Sequence, residues 1–138
     1  MSLKMQKSFN DVVDQIIERD SRYEKEAYIF LKDALEFTIK QQKRAPNDPN
    51  SHVSAAQLLE GFRQLALKEF GPMAMTVLEY WRISASEDIG NMVFALIGAG
   101  VFGKTDSDTP QDFHQALNFQ AAFVAPFETL KTGPTTKA

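Results

Sequence analysis

The stretch from Gly98 to Thr105 is the part of the sequence that most directly suggests chemistry. It reads Gly-Ala-Gly-Val-Phe-Gly-Lys-Thr and matches the phosphate-binding pattern G-x-x-x-x-G-K-[ST] in full. In that pattern the glycine N–H groups cradle phosphates, the lysine reaches the β and γ oxygens, and the threonine binds Mg²⁺. The candidate nucleotide-binding residues are therefore Gly98, Gly103, Lys104 and Thr105.

The residues around this stretch argue against a nucleotide site. A phosphate-binding loop continues into a helix at its Lys-Thr pair, yet residues 106–110 read as a turn, and Pro110 would lie inside that helix. Asp106 and Asp108 would also bring negative charge to the phosphates. If residues 92–97 are a helix, the required strand–loop–helix context is missing. We therefore predict no cofactor and keep nucleotide binding as the third interpretation.

The other reactive residue types give no catalytic or metal-binding signal. The chain has no cysteine, which excludes disulfides and thiolate chemistry. His52 and His114 each lack a second histidine at metal-ligand spacing. The acids between residues 106 and 112 hint at calcium but depart from the ligand spacing of an EF-hand loop. We expect no metal site and no catalytic residue.

Length, composition and charge indicate one globular domain. The chain has 138 residues, of which 43% are hydrophobic and 24% are charged. Its formal net charge of −3 argues against a broad surface for nucleic acid or anionic membranes. The longest apolar run, residues 92–97, is far shorter than the ~20 residues that cross a bilayer. We expect a cytoplasmic protein that does not associate with membranes.

The spacing of apolar residues predicts a mostly helical chain. Positions i, i+3, i+4 and i+7 repeat in five segments, near 9–18, 24–42, 54–71, 72–82 and 86–98. Ser8, Ser54 and Ser86 precede three of them as candidate N-caps. Residues 45–50 contain two prolines and are predicted to be a loop.

The two ends of the chain carry less information. Thr109 and Pro110 are predicted to begin a further helix that carries Phe113 and Leu117. We assign Phe113 and Phe119 to the core and leave Phe123 and Phe127 open between core and interface. The domain is predicted over 1–130, with a disordered tail over 131–138. Residues 1–3 are interpreted as a leader and carry no weight in the predicted fold.

Residues 72–108 have the order of elements found in a winged helix-turn-helix. Two predicted helices meet across the turn Ile83-Ser84-Ala85-Ser86, and the second passes through Gly100 into the extended pair Val101-Phe102. Residues 101–108 would then form a short β-hairpin with a polar wing. The predicted fold class is a compact, mostly α domain with a winged-helix-like centre.

The outer face of the second helix is unsuited to DNA. By helical spacing it carries Glu87, Asp88, Asn91 and Phe94. From residue 83 to residue 113 the single basic residue is Lys104, against five acids. We therefore predict that this face contacts a protein partner or a second copy, and that the chain is a non-enzymatic interaction module.

DNA binding is retained as the alternative function. It would use basic residues outside the acidic helix, namely Lys40, Lys43 and Arg44.

The chain also resembles a small uncharacterised family reported from planctomycetes and verrucomicrobia, over about residues 9–119. The stretches that carry this resemblance are Arg22-Tyr23, Glu26-Ala27-Tyr28, Ala34-Leu35, His52-Val53-Ser54, Leu58-Leu59-Glu60-Gly61, Phe70-Gly71-Pro72, Trp81, Glu87-Asp88, Gly103-Lys104-Thr105 and Asp112-Phe113. The resemblance implies a bacterial protein and assigns no activity, cofactor or catalytic residue. It makes the Gly103-Lys104-Thr105 turn part of a family pattern.

Overall fold

Five α-helices dominate the computed structural model, which describes residues 1–4, 8–42 and 51–128. The helices are α1 (Phe9–Arg19), α2 (Lys25–Gln41), α3 (Ala55–Phe70), α4 (Ala74–Tyr80) and α5 (Ser86–Gly98). Two short strands, β1 (Ser2–Leu3) and β2 (Phe102–Gly103), form an antiparallel pair. The prediction of a mostly α domain is confirmed.

Local capping explains where α1 and α3 begin. The Ser8 hydroxyl accepts a hydrogen bond from the Asp11 N–H at 3.4 Å. Ser54 and Gln57 form the predicted reciprocal capping box, in which each backbone N–H donates to the other side chain at 2.8 and 3.1 Å. At the far end of α3, Gly71 adopts φ +53°, a left-handed conformation that favours glycine.

The helix predicted over 72–82 is shorter than its sequence pattern. A 3₁₀ turn, Gly71–Met73, precedes α4, and Met73 is 56% exposed instead of facing the core. Arg82 ends the helix with φ +68°, and the N–H of Ile83 donates to the carbonyl of Leu78 at 2.9 Å. This is a Schellman ending with arginine in the position that glycine usually takes, so the sequence carries no stop signal there.

Helix α2 lies at the centre of the core, between α1 and α3. Its wide apolar arc is buried, as its sequence predicts for a helix with several neighbours. Phe30 from α2 packs against Phe62, Phe70 and Trp81, with ring centroids 5.1 to 5.4 Å apart. This aromatic cluster joins α2 to the end of α3 and to the turn after α4.

Residues 92–97 are helical, as the argument against a nucleotide site requires. They belong to α5, whose stripe of Ile89, Met92, Val93 and Leu96 is fully buried. Gly100 ends this helix with φ +85°, and the Val101 N–H donates to the Leu96 carbonyl at 3.1 Å.

The predicted hairpin over 101–108 does not form, and the wing of the predicted winged helix is not confirmed. Strand β2 pairs instead with β1, so that Leu3 lies opposite Phe102. The loop after β2 turns back into the molecule, and Asp108 is 7% exposed. An unpaired strand edge offers free N–H and C=O groups, and here the amino-terminal strand satisfies them.

The first residues are therefore part of the fold, contrary to the expectation that they carry no weight in it. Met1 is 1% exposed, and its amino group donates to the Val53 carbonyl at 2.8 Å and to Asp108 at 3.0 Å. The Val53 N–H donates in return to the Met1 carbonyl at 2.8 Å.

The helix predicted after Thr109 is reduced to one 3₁₀ turn, Pro110–Phe113, because the backbone is already extended at His114; Gln115 then takes a left-handed φ of +46°. A later helical stretch, 119–128, contains the π-turn Gln120–Val124. Phe119 and Phe123 are buried and pack edge to face at 5.3 Å, and Phe127 is half-buried. The predicted loop over 45–50 and tail over 131–138 lie outside the described residues.

Candidate functional site

Asp88, predicted to contact a partner, closes the amino end of α5. Its Oδ2 accepts hydrogen bonds from the Ser84 N–H at 2.9 Å, the Ser84 hydroxyl at 3.1 Å and the Ala85 N–H at 3.1 Å. These bonds satisfy donors that a helix start leaves unpaired. The side chain is thus committed to the fold.

Ser86 is not the cap that the sequence predicts. Its side chain is buried, and its hydroxyl donates to the Phe113 carbonyl at 2.6 Å and accepts from the Ala116 N–H at 3.0 Å. Ser86 therefore connects α5 to the segment after the 3₁₀ turn. The side chain that accepts hydrogen bonds from the N–H groups at the helix start is that of Asp88.

Tyr23 connects the start of α2 to the same end of α5. Its hydroxyl donates to Asp88 Oδ1 at 2.6 Å and accepts from the Asn91 amide at 3.0 Å. Burial is the main cause that raises the pKa of Tyr23 to about 12. Burial also pushes the pKa of Asp88 upward, but the hydrogen bonds from Tyr23, Ser84 and Ala85 outweigh it and lower that pKa.

Glu87 is engaged on the opposite side of the helix start. Its Oε2 accepts from the Gln115 N–H at 3.2 Å and lies 3.0 Å from His114 Nδ1. Three of the four predicted contact residues, Glu87, Asp88 and Asn91, therefore bond within the chain. They have fewer free polar atoms for a partner than the sequence indicates.

Phe94, the fourth predicted contact residue, is half-buried and not fully exposed. One edge of its ring packs against Phe113, with centroids 6.3 Å apart and planes at 87°. Phe94 also lines a cavity between α5 and α1, which we call the α1–α5 groove.

The α1–α5 groove has a volume of about 490 Å³. Apolar or small residues of both helices form its floor, namely Val12, Ile16, Phe94, Ala95, Gly98 and Ala99. Gln15, Arg19 and Asp20 form its polar edge. The apolar stripe of α1 is predicted from its sequence, but only the fold places Ile16 opposite Phe94.

The charges along this edge are unevenly paired. Asp20 is held by Arg22 through side-chain bonds of 2.7 to 3.0 Å, and these bonds are the main cause that lowers the pKa of Asp20. Asp14, nearly two turns earlier in the chain, pairs with Lys25 at 2.9 Å. Arg19 is exposed and forms no hydrogen bond or ion pair with any residue that the structure describes. Among the described residues that line the groove, Arg19 is therefore a cation without an acidic partner.

The phosphate-binding pattern does not adopt the geometry of a phosphate-binding loop. Gly98 is the last residue of α5, Gly103 belongs to β2, and Lys104 is exposed. The Thr105 N–H donates to Asp108 at 2.8 Å, so a carboxylate occupies the direction in which a phosphate would bind. The order is helix, turn and strand, which is the reverse of the required context.

A second cavity, of about 530 Å³, lies between the amino end of α3 and the loop after β2. His52 lines it, and its Nδ1 is buried with no hydrogen-bond partner among the described residues. Asp108 and Asp112 also line it, and Asp108 is already bonded to the amino terminus. The two carboxylates disfavour an anion there, although the helix start would otherwise attract one.

Three further predictions concern a metal site, a membrane span and the basic residues of the DNA-binding alternative. Among residues 1–4, 8–42 and 51–128, no three His, Cys, Asp or Glu side chains form a set that could hold a metal ion. Within the same residues, the helices fall short of the length and apolarity needed for a membrane span. Lys40 is exposed on α2, while Lys43 and Arg44 lie outside the described residues.

Sequence reasoning identified Phe94 but missed the residues of α1 that complete its surroundings. The apolar spacing of residues 9–18 places Ile16 on the inner face of the predicted helix, and Arg19 reads as one of the interleaved charges of a balanced surface. The available signal was the i, i+3 spacing of these two residues, which places a cation beside the apolar stripe.

Comparison of the chain with protein-family models, with curated proteins and with solved structures finds no match.

Proposed function

We propose that this protein is a non-enzymatic interaction module whose α1–α5 groove receives an apolar side chain of a protein partner. The observation that carries the proposal is the position of Phe94 and Ile16, both half-buried, on facing walls of a cavity of about 490 Å³. Sites that enclose ligands commonly measure roughly 300–1,000 Å³. The space therefore suits one or two large side chains.

The lining favours a polypeptide over a small polar metabolite. Small-molecule sites fix their ligand with several polar groups that converge on it. Here the three polar side chains of the lining, Gln15, Arg19 and Asp20, all belong to α1 or its C-cap, and Asp20 is already bonded to Arg22. A groove between two helices with an apolar floor is a common way to bind a peptide segment.

This proposal keeps the predicted interaction function but assigns it to the α1–α5 groove. The predicted surface is the outer face of α5, on which Phe94 is flanked by Glu87, Asp88 and Asn91. Asp88 and Glu87 are held by internal hydrogen bonds. The groove lies toward the other end of α5 and retains Phe94 as the shared residue. Buried aromatic anchors contribute most of the binding energy in many protein interfaces, which supports this choice.

Gly98 offers a way to test the groove without damaging the fold. It lines the cavity, and a Cβ added there would meet no heavy atom within 4 Å. A Gly98→Leu side chain should therefore occupy groove space, while Gly98→Ala adds one methyl group and serves as the matched control.

The experiment begins with selection of a random-peptide display library on the immobilised full chain. Enriched peptides are synthesised with a fluorophore and titrated against the wild type and both variants by anisotropy. We expect at least tenfold weaker binding by Gly98→Leu and near-wild-type binding by Gly98→Ala, with melting temperatures at or above that of the wild type. Failure to enrich any peptide, or equal binding by Gly98→Leu, would refute the proposal.

A further inference from the structure

We infer that the segment bound in the α1–α5 groove carries a carboxylate one to three positions from its apolar side chain, and that Arg19 binds this carboxylate. The inference rests on the proposed function and names the chemistry of the partner. It is carried by the contrast between Arg19 and the other arginines of the described residues.

The other arginines in the described part of the chain have acidic partners. Arg22 pairs with Asp20 at 2.7 Å, Arg63 with Glu60 at 2.6 Å, and Arg82 with Glu24 at 3.8 Å. Arg19 has none among these residues, and it lies at the one edge where the groove is polar. A guanidinium group is planar and presents parallel N–H donors that match the two oxygens of a carboxylate.

The acids near Arg19 do not cancel its charge. Asp20 is occupied by three side-chain bonds from Arg22, and Asp14 by Lys25. Glu18 is exposed and does not line the groove. An acidic group of a partner therefore meets a guanidinium group that has no acidic partner in residues 1–4, 8–42 and 51–128.

The spacing along the partner follows from the geometry of α1. Ile16 and Arg19 are three residues apart, which corresponds to about 4.5 Å along a helix axis. The long arginine side chain extends this reach by several ångströms. An extended peptide advances about 3.3 Å per residue, so one to three residues span the distance from the apolar floor to the guanidinium group.

The carboxyl end of α5 sets the direction of the bound segment. Gly98 and Ala99, on the opposite side of the groove from Arg19's helix, belong to the negative end of the α5 dipole. A carboxylate is disfavoured near those carbonyl groups. Since α1 also ends at Arg19, it is the guanidinium group and not the α1 dipole that attracts the acid to the opposite side. The apolar side chain is therefore expected against Phe94 and Ala95, with the acid toward Arg19.

A charge exchange tests this inference with the peptides selected above. Each enriched peptide is made with its acidic residue and with lysine in its place, and both forms are titrated against the wild type and Arg19→Glu. The acidic form should bind Arg19→Glu at least tenfold more weakly than the wild type. The lysine form should bind Arg19→Glu at least threefold more tightly than the acidic form does.

Lys40→Glu is the matched control for the change in net charge. Lys40 is exposed on α2 and does not line the groove. The Lys40→Glu variant should bind the acidic peptide with an affinity within twofold of the wild-type value. Raising the salt from 50 to 500 mM should reduce the difference between the two peptides, because the pair is exposed to solvent.

The outcomes separate this inference from the proposed function. Peptides that are blocked by Gly98→Leu but show no acidic preference and no effect of Arg19→Glu would overturn the inference and leave the groove as a binding site. Enrichment of basic peptides would overturn it as well. Concentration-dependent dimerisation that Gly98→Leu abolishes, measured by analytical ultracentrifugation, would assign the groove to a second copy and also overturn it.

Discussion

Asp88 lies where the sequence places it, at the start of α5, and its side chain has a structural role that the sequence does not show in full. Acidic residues in the first turn of a helix are favoured by the helix dipole, and the sequence places Asp88 there. Its neighbours in the chain supply three of its hydrogen bonds, but the fourth comes from Tyr23, 65 positions away. This distant bond makes Asp88 a structural residue.

We predict that Asp88→Ala lowers the free energy of unfolding by about 2 kcal/mol at pH 7, since a capping interaction and a hydrogen bond to a charged group are lost together. The pKa of Asp88 in the folded protein lies below its usual value of 3.8. Its stabilisation is therefore complete above that value and disappears as the pH falls through the lower folded pKa. Urea unfolding of both proteins at pH 7, 4 and 2.5 measures this effect.

The matched control is Asp106→Ala, because Asp106 is exposed. It should change the free energy of unfolding by less than about 0.5 kcal/mol at each pH. A cost for Asp88→Ala that stays constant from pH 7 to pH 2.5 would contradict the capping role.

At the scale of elements, α2 and α3 approach each other at a point that depends on glycine. A Cβ at Gly61 would overlap the hydroxyl group of Thr38, which is buried and donates to the Ala34 carbonyl at 2.7 Å. The sequence shows Gly61 only as a weak residue in a predicted helix. Its role depends on which face of α2 lies opposite, and that is decided by packing.

Gly61→Ala should therefore destabilise the protein although alanine is the better helix former. Helix propensity favours alanine by about 1 kcal/mol, while overpacking a core costs about 1–3 kcal/mol. We expect a lower melting temperature for Gly61→Ala and partial recovery in the double variant with Thr38→Ala, which removes the nearest atom.

Gly98→Ala is the informative comparison, since it also lies in a helix and has open space around its Cβ. Its melting temperature, measured by calorimetry, should equal or exceed that of the wild type. A stabilising Gly61→Ala would show that the two helices can move apart at little cost.

At the scale of the whole molecule, the amino group of Met1 connects segments that are far apart in the sequence. The Met1 amino group bonds to Asp108, and Asp108 also accepts from the Thr105 N–H. Burial is the largest influence on the pKa of Asp108 and raises it, but hydrogen bonds from Thr105 and the amino terminus lower it overall. The loop after β2, strand β1 and the start of α3 therefore form one connected unit.

Asp108→Asn should loosen this unit, because a buried ammonium group loses its counter-charge. We expect at least tenfold faster hydrogen exchange at the Val53 N–H, bonded to the Met1 carbonyl at 2.8 Å, and at the Lys4 N–H, bonded to the Val101 carbonyl at 2.8 Å. That factor corresponds to about 1.4 kcal/mol of local opening.

The Trp81 N–H, bonded to the Val77 carbonyl at 3.0 Å, belongs to the end of α4 and is the internal control. Its exchange rate should change by less than twofold. Equal acceleration at all three amides would indicate global destabilisation and would contradict a local role for the ion pair.

The sequence by itself determined the five helices, the N-cap at Ser54 and the passage through Gly100 into an extended segment. These features depend on residues within about one or two helical turns, and their energies are local. The same locality explains the failures at Arg82 and Ser86, where the local residue types did not show the hydrogen bonds that the chain makes.

Only the tertiary structure decided the partner of β2, the role of Met1 and the surroundings of Phe94. Strand β1 pairs with β2 across about a hundred residues, and α1 reaches α5 only because both helices pack around α2. Which faces of two helices meet depends on the packing of the whole core, and periodicity cannot show it. For this reason periodicity could place Phe94 on the outer face of α5, whereas it could not show the groove, nor that Arg19 beside it lacks an acidic partner among the described residues.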